Sequence, residues 1–347
     1  LLSRPALEGY VRELVLARGN VTIATGRVAR GLIGDRRRVT GVHVQDRDPG
    51  GSARELSAEL VIDASGRGSQ LPRWLAQLGA PVPREDCVRA DVVYTSCYLR
   101  RKPRHLGGDY GYIVTPTPPA RRGAAVLALE GDRFIVTLSG YLGEPGPSDY
   151  AGMVAYARTL PSLDLYRLLC DAEPLSEPVQ MRDPESRWRR YDRLSGFPEG
   201  LLVCGDALCS FNPAYAQGMT VAALEARALS ACLARDDPRR LAARYFRAAR
   251  DIVAAPWAIA VVADFAFEGV TGARPFGSAL LNAYVARLNR AASRDAKVAL
   301  ARLQVTHLLA APSTLLRPAL VARVLRFGGA STRDLRAIAI PHPNHDA

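Results

Sequence analysis

The period of the apolar positions changes several times along this chain, and each change marks an element. Residues 1–16 carry a stripe at Leu7, Val11, Leu14 and Val15, spaced as on one face of a helix. The runs 21–24, 26–33 and 39–45 alternate instead, punctuated by glycine and by Asp35 with its arginines, and predict a three-stranded antiparallel meander with a loop over 46–52. Residues 59–63 form an apolar strand that ends in Ala64-Ser65-Gly66, and a helix with Trp74, Leu75 and Leu78 follows. Four strand-like runs, 88–99, 110–116, 123–129 and 133–141, have the signature of an antiparallel sheet. Helices near 149–160 and 162–170 and a strand over 179–191 lead back to a short buried strand at 201–204, which stops at Gly205-Asp206. From about Met219 to Leu233, and then over 238–265, 278–292, 294–309 and 315–327, the pattern is helical. The fold class is therefore α/β (α+β), with strands and helices interleaved and a helical C-terminal part.

Composition narrows the function classes. The 46 basic residues exceed the 34 acidic ones by 12, and only Lys102 and Lys297 are lysines. The arginines fall in scattered clusters, 36–38, 100–104, 187–190 and 239–240, with no aromatic-interleaved stripe, so they read as solvated surface and not as a nucleic-acid face. Six cysteines contain no C-x-x-C pair, which argues against a zinc site or a disulfide framework and for buried free thiols in a reducing, cytoplasmic setting. His342 and His345 stand in a Pro-Asn tail that predicts a disordered terminus. The most apolar run, 252–267, is broken by Pro256 and Asp264 and is shorter than the ~20 residues a bilayer needs, and no signal peptide is present.

The candidate chemistry sits at the end of the 201–204 strand, the edge where open α/β sheets bind ligands. A carboxylate there, Asp206, accepts hydrogen bonds from polyol hydroxyls and donates none. The helix start near Gly218-Met219 offers unpaired N–H groups to an electron-rich ring. The small residues Ala64 and Gly66 let backbone approach a bulky group closely.

The string from Gly205-Asp206 through Pro213 and Gln217-Gly218-Met219 resembles the second FAD motif of flavin-dependent aromatic hydroxylases, squalene-epoxidase-like enzymes and bacterial polyether epoxidases. The resemblance implies an incomplete FAD-binding Rossmann-like domain with an inserted antiparallel substrate sheet and C-terminal helices. The expected divisions are 1–85 and 191–235 for the FAD-binding part, 86–190 for the substrate sheet and 236–347 for the helices. It implies that Asp206 holds the ribityl chain, that Pro213 lies near the flavin face, that the Gly218 and Met219 amides meet its pyrimidine edge, and that Gln217 is among the cofactor-binding residues. Arg4 then lies near the flavin or ribityl, Val28 near the adenine, Ala64 and Gly66 in the middle motif, and Trp188-Arg-Arg-Tyr191 beside the flavin unless Arg189 and Arg190 are a surface pair. Tyr94 and Tyr98 are candidate substrate contacts.

Two positions depart from the relatives. They read Tyr-Gly-Gln-Gly-Met where this chain has Ala216, which predicts a strained loop if that residue has positive φ. Aromatic hydroxylases carry His at the position of Cys209, which moves the likeness toward the epoxidases. No G-x-G-x-x-G occurs in the chain, so the expectation is an N-terminally truncated protein whose phosphate-binding unit lies upstream.

The activity implied is a monooxygenase, epoxidase or hydroxylase, that passes one O2 oxygen from a flavin hydroperoxide to a largely apolar small molecule. NADPH or NADH is the expected electron donor, directly or through a flavin or ferredoxin reductase. The alternatives are an isoprenoid double-bond reductase of the same fold and a non-catalytic remnant. A halogenase is disfavoured because Ala255-Pro-Trp-Ala-Ile-Ala260 does not match W-x-W-x-I-P.

Overall fold

The computed structural model describes residues 1–329 apart from Pro49, Pro184 and Asp236. His342 and His345, with the predicted disordered tail, lie outside the described residues. The chain divides into two compact units, Leu1–Arg250 with Phe267–Ala273, and Asp251–Ala266 with Arg274–Ala347.

The first unit opens with α1 (Arg4–Leu16), whose N-cap Ser3 accepts the Ala6 N–H. The Ser3 N–H and hydroxyl in turn donate to the Glu130 carboxylate at 2.8 and 2.6 Å and hold that carboxyl down at about 2. The predicted stripe of α1 forms as a face, but no residue of the helix is buried.

The meander consists of β1 (Arg27–Gly34), β2 (Val39–Asp46) and β3 (Ala53–Ser57). Residues 21–24, which the alternation predicts as its first strand, are not part of it. The strand that does pair, β3, is exposed along its whole length and so carries no apolar signal. Next come β4 (Val61–Asp63) and α2 (Leu71–Gln77), which buries Leu71 and Leu75.

The run predicted at 88–99 breaks at Ala90-Asp91, where Asp91 has φ +45, into β5 (Glu85–Arg89) and β6 (Val92–Arg100). With β7 (Gly111–Val114), β8 (Arg122–Leu129), β9 (Arg133–Gly140) and β10 (Val179–Asp183), β6 forms a five-stranded antiparallel sheet in the order β10-β6-β9-β8-β7. One face, with Cys97, Leu99, Val126, Phe134, Val136 and Leu138, packs on α3 (Tyr150–Ala157) and α4 (Asp164–Asp171). The helix α4 supplies Leu165, Leu168 and Leu169 at i, i+3 and i+4, the spacing that makes a buried stripe. The other face carries Tyr94, Ser96 and Tyr98 beside Thr137, with Ser96 and Thr137 hydroxyls 2.8 Å apart, and beside Val179 and Met181, which are 61 % and 69 % exposed.

The predicted strand over 179–191 is likewise two, β10 and β11 (Ser186–Arg189), and β11 joins β5 and β13 (Cys209–Ser210) in a second antiparallel sheet. The strand β12 (Leu201–Val203) pairs in parallel with β4, Val203 opposite Asp63. The helix α5 (Gly218–Leu233) follows, and α6 (Leu241–Asp264), with Pro256 inside it, runs on from the first unit. In the second unit α7 (Ser278–Ala292), α8 (Ala296–Thr306) and α9 (Pro318–Phe327) pack around Leu288, Ala291, Val298 and Val324, and Asp295 caps α8 while bonding Arg323. Among the described residues no helix is long and apolar enough to cross a membrane.

Candidate functional site

The parallel pair β4 and β12 brings two loops to one sheet edge. The Cys204 N–H donates to the Asp63 carbonyl at 3.0 Å, and past that bond both chains turn away. On the first side, the Asp63 carboxylate accepts the Ser65 N–H at 2.9 Å and both the Ser65 and Ser69 hydroxyls, so it organises its own loop and leaves Gly66, at φ +80, beside open space. On the second side Gly205, at φ +62, makes a tight turn that exposes Asp206. A Cβ at Gly205 or Gly66 would meet nothing within 4 Å.

From there the chain passes through β13 to the loop 211–217. Asn212 is buried and fixes this loop through its side chain and its backbone. Its side-chain oxygen accepts from Ala214 N–H at 3.0 Å and from the Tyr94 hydroxyl at 2.5 Å. Its amide donates to the Tyr141 hydroxyl at 3.1 Å, and its own N–H donates to the Ser186 hydroxyl at 2.9 Å. The Tyr141 ring stacks on Phe267 with centroids 4.4 Å apart. Pro213 is exposed, and Ala216 ends the turn in the left-handed region, at φ +52.

Gln217 is buried at the N-cap of α5 and its side chain makes no capping bond to the first N–H groups of the helix, Gly218 and Met219 among them. Gly218 folds back onto the turn: a Cβ there would lie 3.6 Å from Asp206 Oδ1. Asp206, Gly218 and Met219 are therefore one cluster, with Ala64 and Gly66 across the parallel strand pair.

Two arginines hold the loops together. The Arg67 guanidinium, in the middle loop, donates to the Glu185 carbonyl and, at 3.1 Å, to the Phe211 carbonyl, and it pairs with Asp183 at 2.7 Å. Burial pushes the Asp183 carboxyl up despite that pairing. Arg189, only 3 % exposed, donates to the Ala207 carbonyl at 2.8 Å and the Arg67 carbonyl at 3.3 Å, and it pairs with Glu85 at 3.0 Å. Arg190 is buried too, its guanidinium 3.8 Å over the Trp188 ring and paired with Asp192 and Asp86. The surface-pair alternative for Arg189 and Arg190 is overturned, and with it the reading of the 187–190 cluster as solvated. Five planar donors reaching several carbonyls explain why arginine and not lysine stands at these places.

The remaining predicted residues lie elsewhere. Arg4 is exposed at the first turn of α1, and Val28 is half-buried on β1 opposite Gln45; among the described residues no bond joins either to the cluster. Tyr94 is half-buried, with its hydroxyl on the 211–217 loop, and Tyr98 lies two positions along the same face, with Arg133 over its ring at 5.8 Å. Arg67, Asn212, Tyr141 and the buried Glu225 of α5 were not singled out from sequence. Only Glu225 carried a signal there, an acid in an otherwise apolar helix stripe. His105, on the packed side of the five-stranded sheet, stacks on Phe134, and both ring nitrogens are engaged, Nδ1 with Lys102 N–H and Nε2 with Asp171 at 2.8 Å. Among the described residues no cluster of metal-ligating side chains occurs.

No family model matches the chain. It is 34 % identical over 290 residues to protein Rv3254 of Mycobacterium tuberculosis, a match that covers 80 % of this chain and 61 % of that protein. The chain thus spans about three-fifths of that relative's length. Among solved structures it is similar to the flavin-dependent brominase Bmp2, with TM-score 0.63 and 13 % identity over 94 % of this chain and 75 % of that one. It is also similar to HpxO of Klebsiella pneumoniae, complexed with FAD and uric acid, at TM-score 0.55 and 17 % identity over 93 % and 72 %. The anhydrotetracycline hydroxylase OxyS of Streptomyces rimosus gives TM-score 0.52 and 20 % identity over 73 % and 48 %. The fold is that of the flavin-dependent hydroxylases and halogenases, of which the sequence resemblance implies the hydroxylases.

Proposed function

We propose that the chain is the larger part of an FAD-dependent monooxygenase acting on a largely apolar small molecule. The observation that carries this reading is the convergence of Asp206, Gly218 and Met219 at the end of β12, beside the open space at Gly66 and Gly205. A ribityl chain fits a carboxylate acceptor there, and a ring that gains negative charge on reduction fits the start of α5. When bound, reduced FAD supplies the oxygen-activating chemistry, and the protein has only to bind, orient and exclude water. Pro213 and Gln217 would line the ring, and Ala64 and Gly66 would let the backbone approach it.

The adenine and pyrophosphate call for a further unit. The apolar residues left exposed on α1, at Val21 and Ile23 and at Ile62 of β4 are the surface we assign to it. That unit would carry the phosphate-binding turn, with Arg4 and Val28 toward the cofactor.

The substrate would lie on the open face of the five-stranded sheet, where Tyr94 and Tyr98 stand among Ser96, Thr137, Val179 and Met181. This face offers hydroxyls and apolar surface and no histidine, and His105 is engaged on the opposite face. Hydroxylation of a phenol is helped by a base that takes the phenolic proton, whereas oxygen transfer to an alkene needs none. We therefore favour epoxidation.

The test supplies the full-length protein with FAD, NADPH or NADH, a flavin or ferredoxin reductase and O2, and compares a polyene or terpenoid with simple phenols, with and without bromide. Oxygen-dependent epoxide formation is expected. Product from phenols alone makes the enzyme a hydroxylase, brominated product makes it a halogenase, and saturation of the alkene without O2 makes it a double-bond reductase.

A further inference from the structure

Glu225 lies in the inner stripe of α5 with Val221 and Cys232 and is fully buried. Burying a carboxyl is costly unless it is bonded, and this one is bonded on one side only. Its Oε2 accepts the Gly205 N–H at 2.6 Å, and its Oε1 has no hydrogen-bond partner among the described residues.

The Gly205 N–H needs such an acceptor for a topological reason. The parallel ladder of β4 and β12 ends with the bond from Cys204 to Asp63, so the next N–H along the chain has no strand to pair with. Gly205 turns left-handed at that point, and Asp206 follows directly. An acid on the helix behind the turn replaces the missing strand.

We propose that Glu225 is the positioning residue that fixes the Gly205-Asp206 turn and so holds the Asp206 carboxylate toward the ribityl site. This rests on the flavin reading given above. Glu225 touches no cofactor atom in this scheme; it acts through Gly205.

Four titratable groups face it: Asp206 on the turn, Cys204 just past β12, Cys209 on β13, and Tyr245 on α6. Burial lifts the Glu225 carboxyl to about 7, Asp206 acts in the same direction, and the Gly205 N–H opposes both. The hold on the turn therefore strengthens as pH rises through neutrality, because an ionised acceptor bonds an N–H more strongly than a neutral one.

Cys204-Gly205 is the only Cys-Gly step in the chain, so labelling cysteine carbonyls with 13C and glycine amides with 15N isolates the Gly205 amide as a single NMR signal. That signal is expected to titrate with a midpoint near pH 7 in the wild-type protein and to lose this titration in Glu225→Gln. FAD fluorescence quenching is expected to give at least tenfold weaker binding for Glu225→Leu. Glu225→Gln, which keeps an acceptor, should bind within about threefold of wild type, with no change across pH 6–8.

A Gly205 signal that does not titrate, or that titrates equally in Glu225→Gln, overturns the proposal, as does wild-type FAD affinity in Glu225→Leu. If the amide behaves as expected but wild-type protein binds no FAD, the hold on the turn stands and the flavin reading fails.

Discussion

The Tyr94 hydroxyl donates to the Asn212 side-chain oxygen at 2.5 Å, across 118 residues of sequence. The bond joins the middle of the five-stranded sheet to the loop between Asp206 and α5. A molecule lying on Tyr94 would thus press on the same side chain that sets the position of Pro213 and the first residues of the helix.

Removing that hydroxyl should loosen the loop without unfolding the sheet. Tyr94→Phe keeps the ring and removes one donor to Asn212 Oδ1, while the Ala214 N–H bond to that oxygen stays. The expected loss of stability is about 1 kcal/mol. Asn212→Ala removes the acceptor and the donor to Tyr141 together, and about 2–3 kcal/mol is expected. Urea titrations of both variants measure these values, and wild-type stability in Tyr94→Phe would show that the Tyr94 hydroxyl does not hold Asn212.

Ala216 stores strain at the end of the same loop. Its φ of +52 puts its Cβ close to the carbonyl that follows, a conformation that costs an L-residue roughly 1–2 kcal/mol. Ala216→Gly removes the clash but adds unfolded-chain entropy, so a net gain of about 0.5–1 kcal/mol is expected. A thermal midpoint raised by a few degrees checks it, and a lowered midpoint contradicts it.

This strain was legible in the residues, because a chain that has Ala in a string where relatives have Gly reveals the backbone conformation before any coordinates do. The Gly205-Asp206 turn and the sheet inserted before it were legible for a related reason, since alternation and small residues are local signals. Arg67, Asn212 and Glu225 were not. Their roles come from partners 20 to 144 residues away, and a single polar letter in a loop or helix does not say which distant group it meets. Strand β3 escaped for the opposite reason: all five of its residues face solvent, so pairing left no mark on their polarity.

Glu225 should make stability depend on pH in a defined direction. Its carboxyl titrates at about 7 in the folded protein and at 4.5 when exposed. Below pH 4.5 both states are protonated and nothing is lost. As pH rises toward 7 the unfolded chain ionises first, so stability falls, by about 3 kcal/mol in all, and then levels off. Unfolding free energies of wild type and Glu225→Gln, measured from pH 4.5 to 8, should diverge over that interval in favour of the Gln variant. Parallel curves would mean that the carboxyl titrates near its ordinary value.

Asp206 gives the most direct test of the flavin site. It is exposed at the strand end, next to Gly218, and its carboxylate is not among the groups that hold the loops together; Arg67, Arg189 and Asn212 do that. Asp206→Ala should therefore leave the fold and its thermal midpoint nearly unchanged while removing a charge-assisted bond to a ribityl hydroxyl. Such a bond is worth about 1.5–3 kcal/mol, or roughly ten- to a hundred-fold in FAD affinity. Asp206→Asn, which keeps one acceptor oxygen without the charge, should fall between the two. Equilibrium binding of FAD to the three full-length proteins separates the possibilities. Affinity that drops in the order Asp, Asn, Ala at constant stability assigns the carboxylate to the ribityl chain, and affinity unchanged in the Ala variant removes Asp206 from the site.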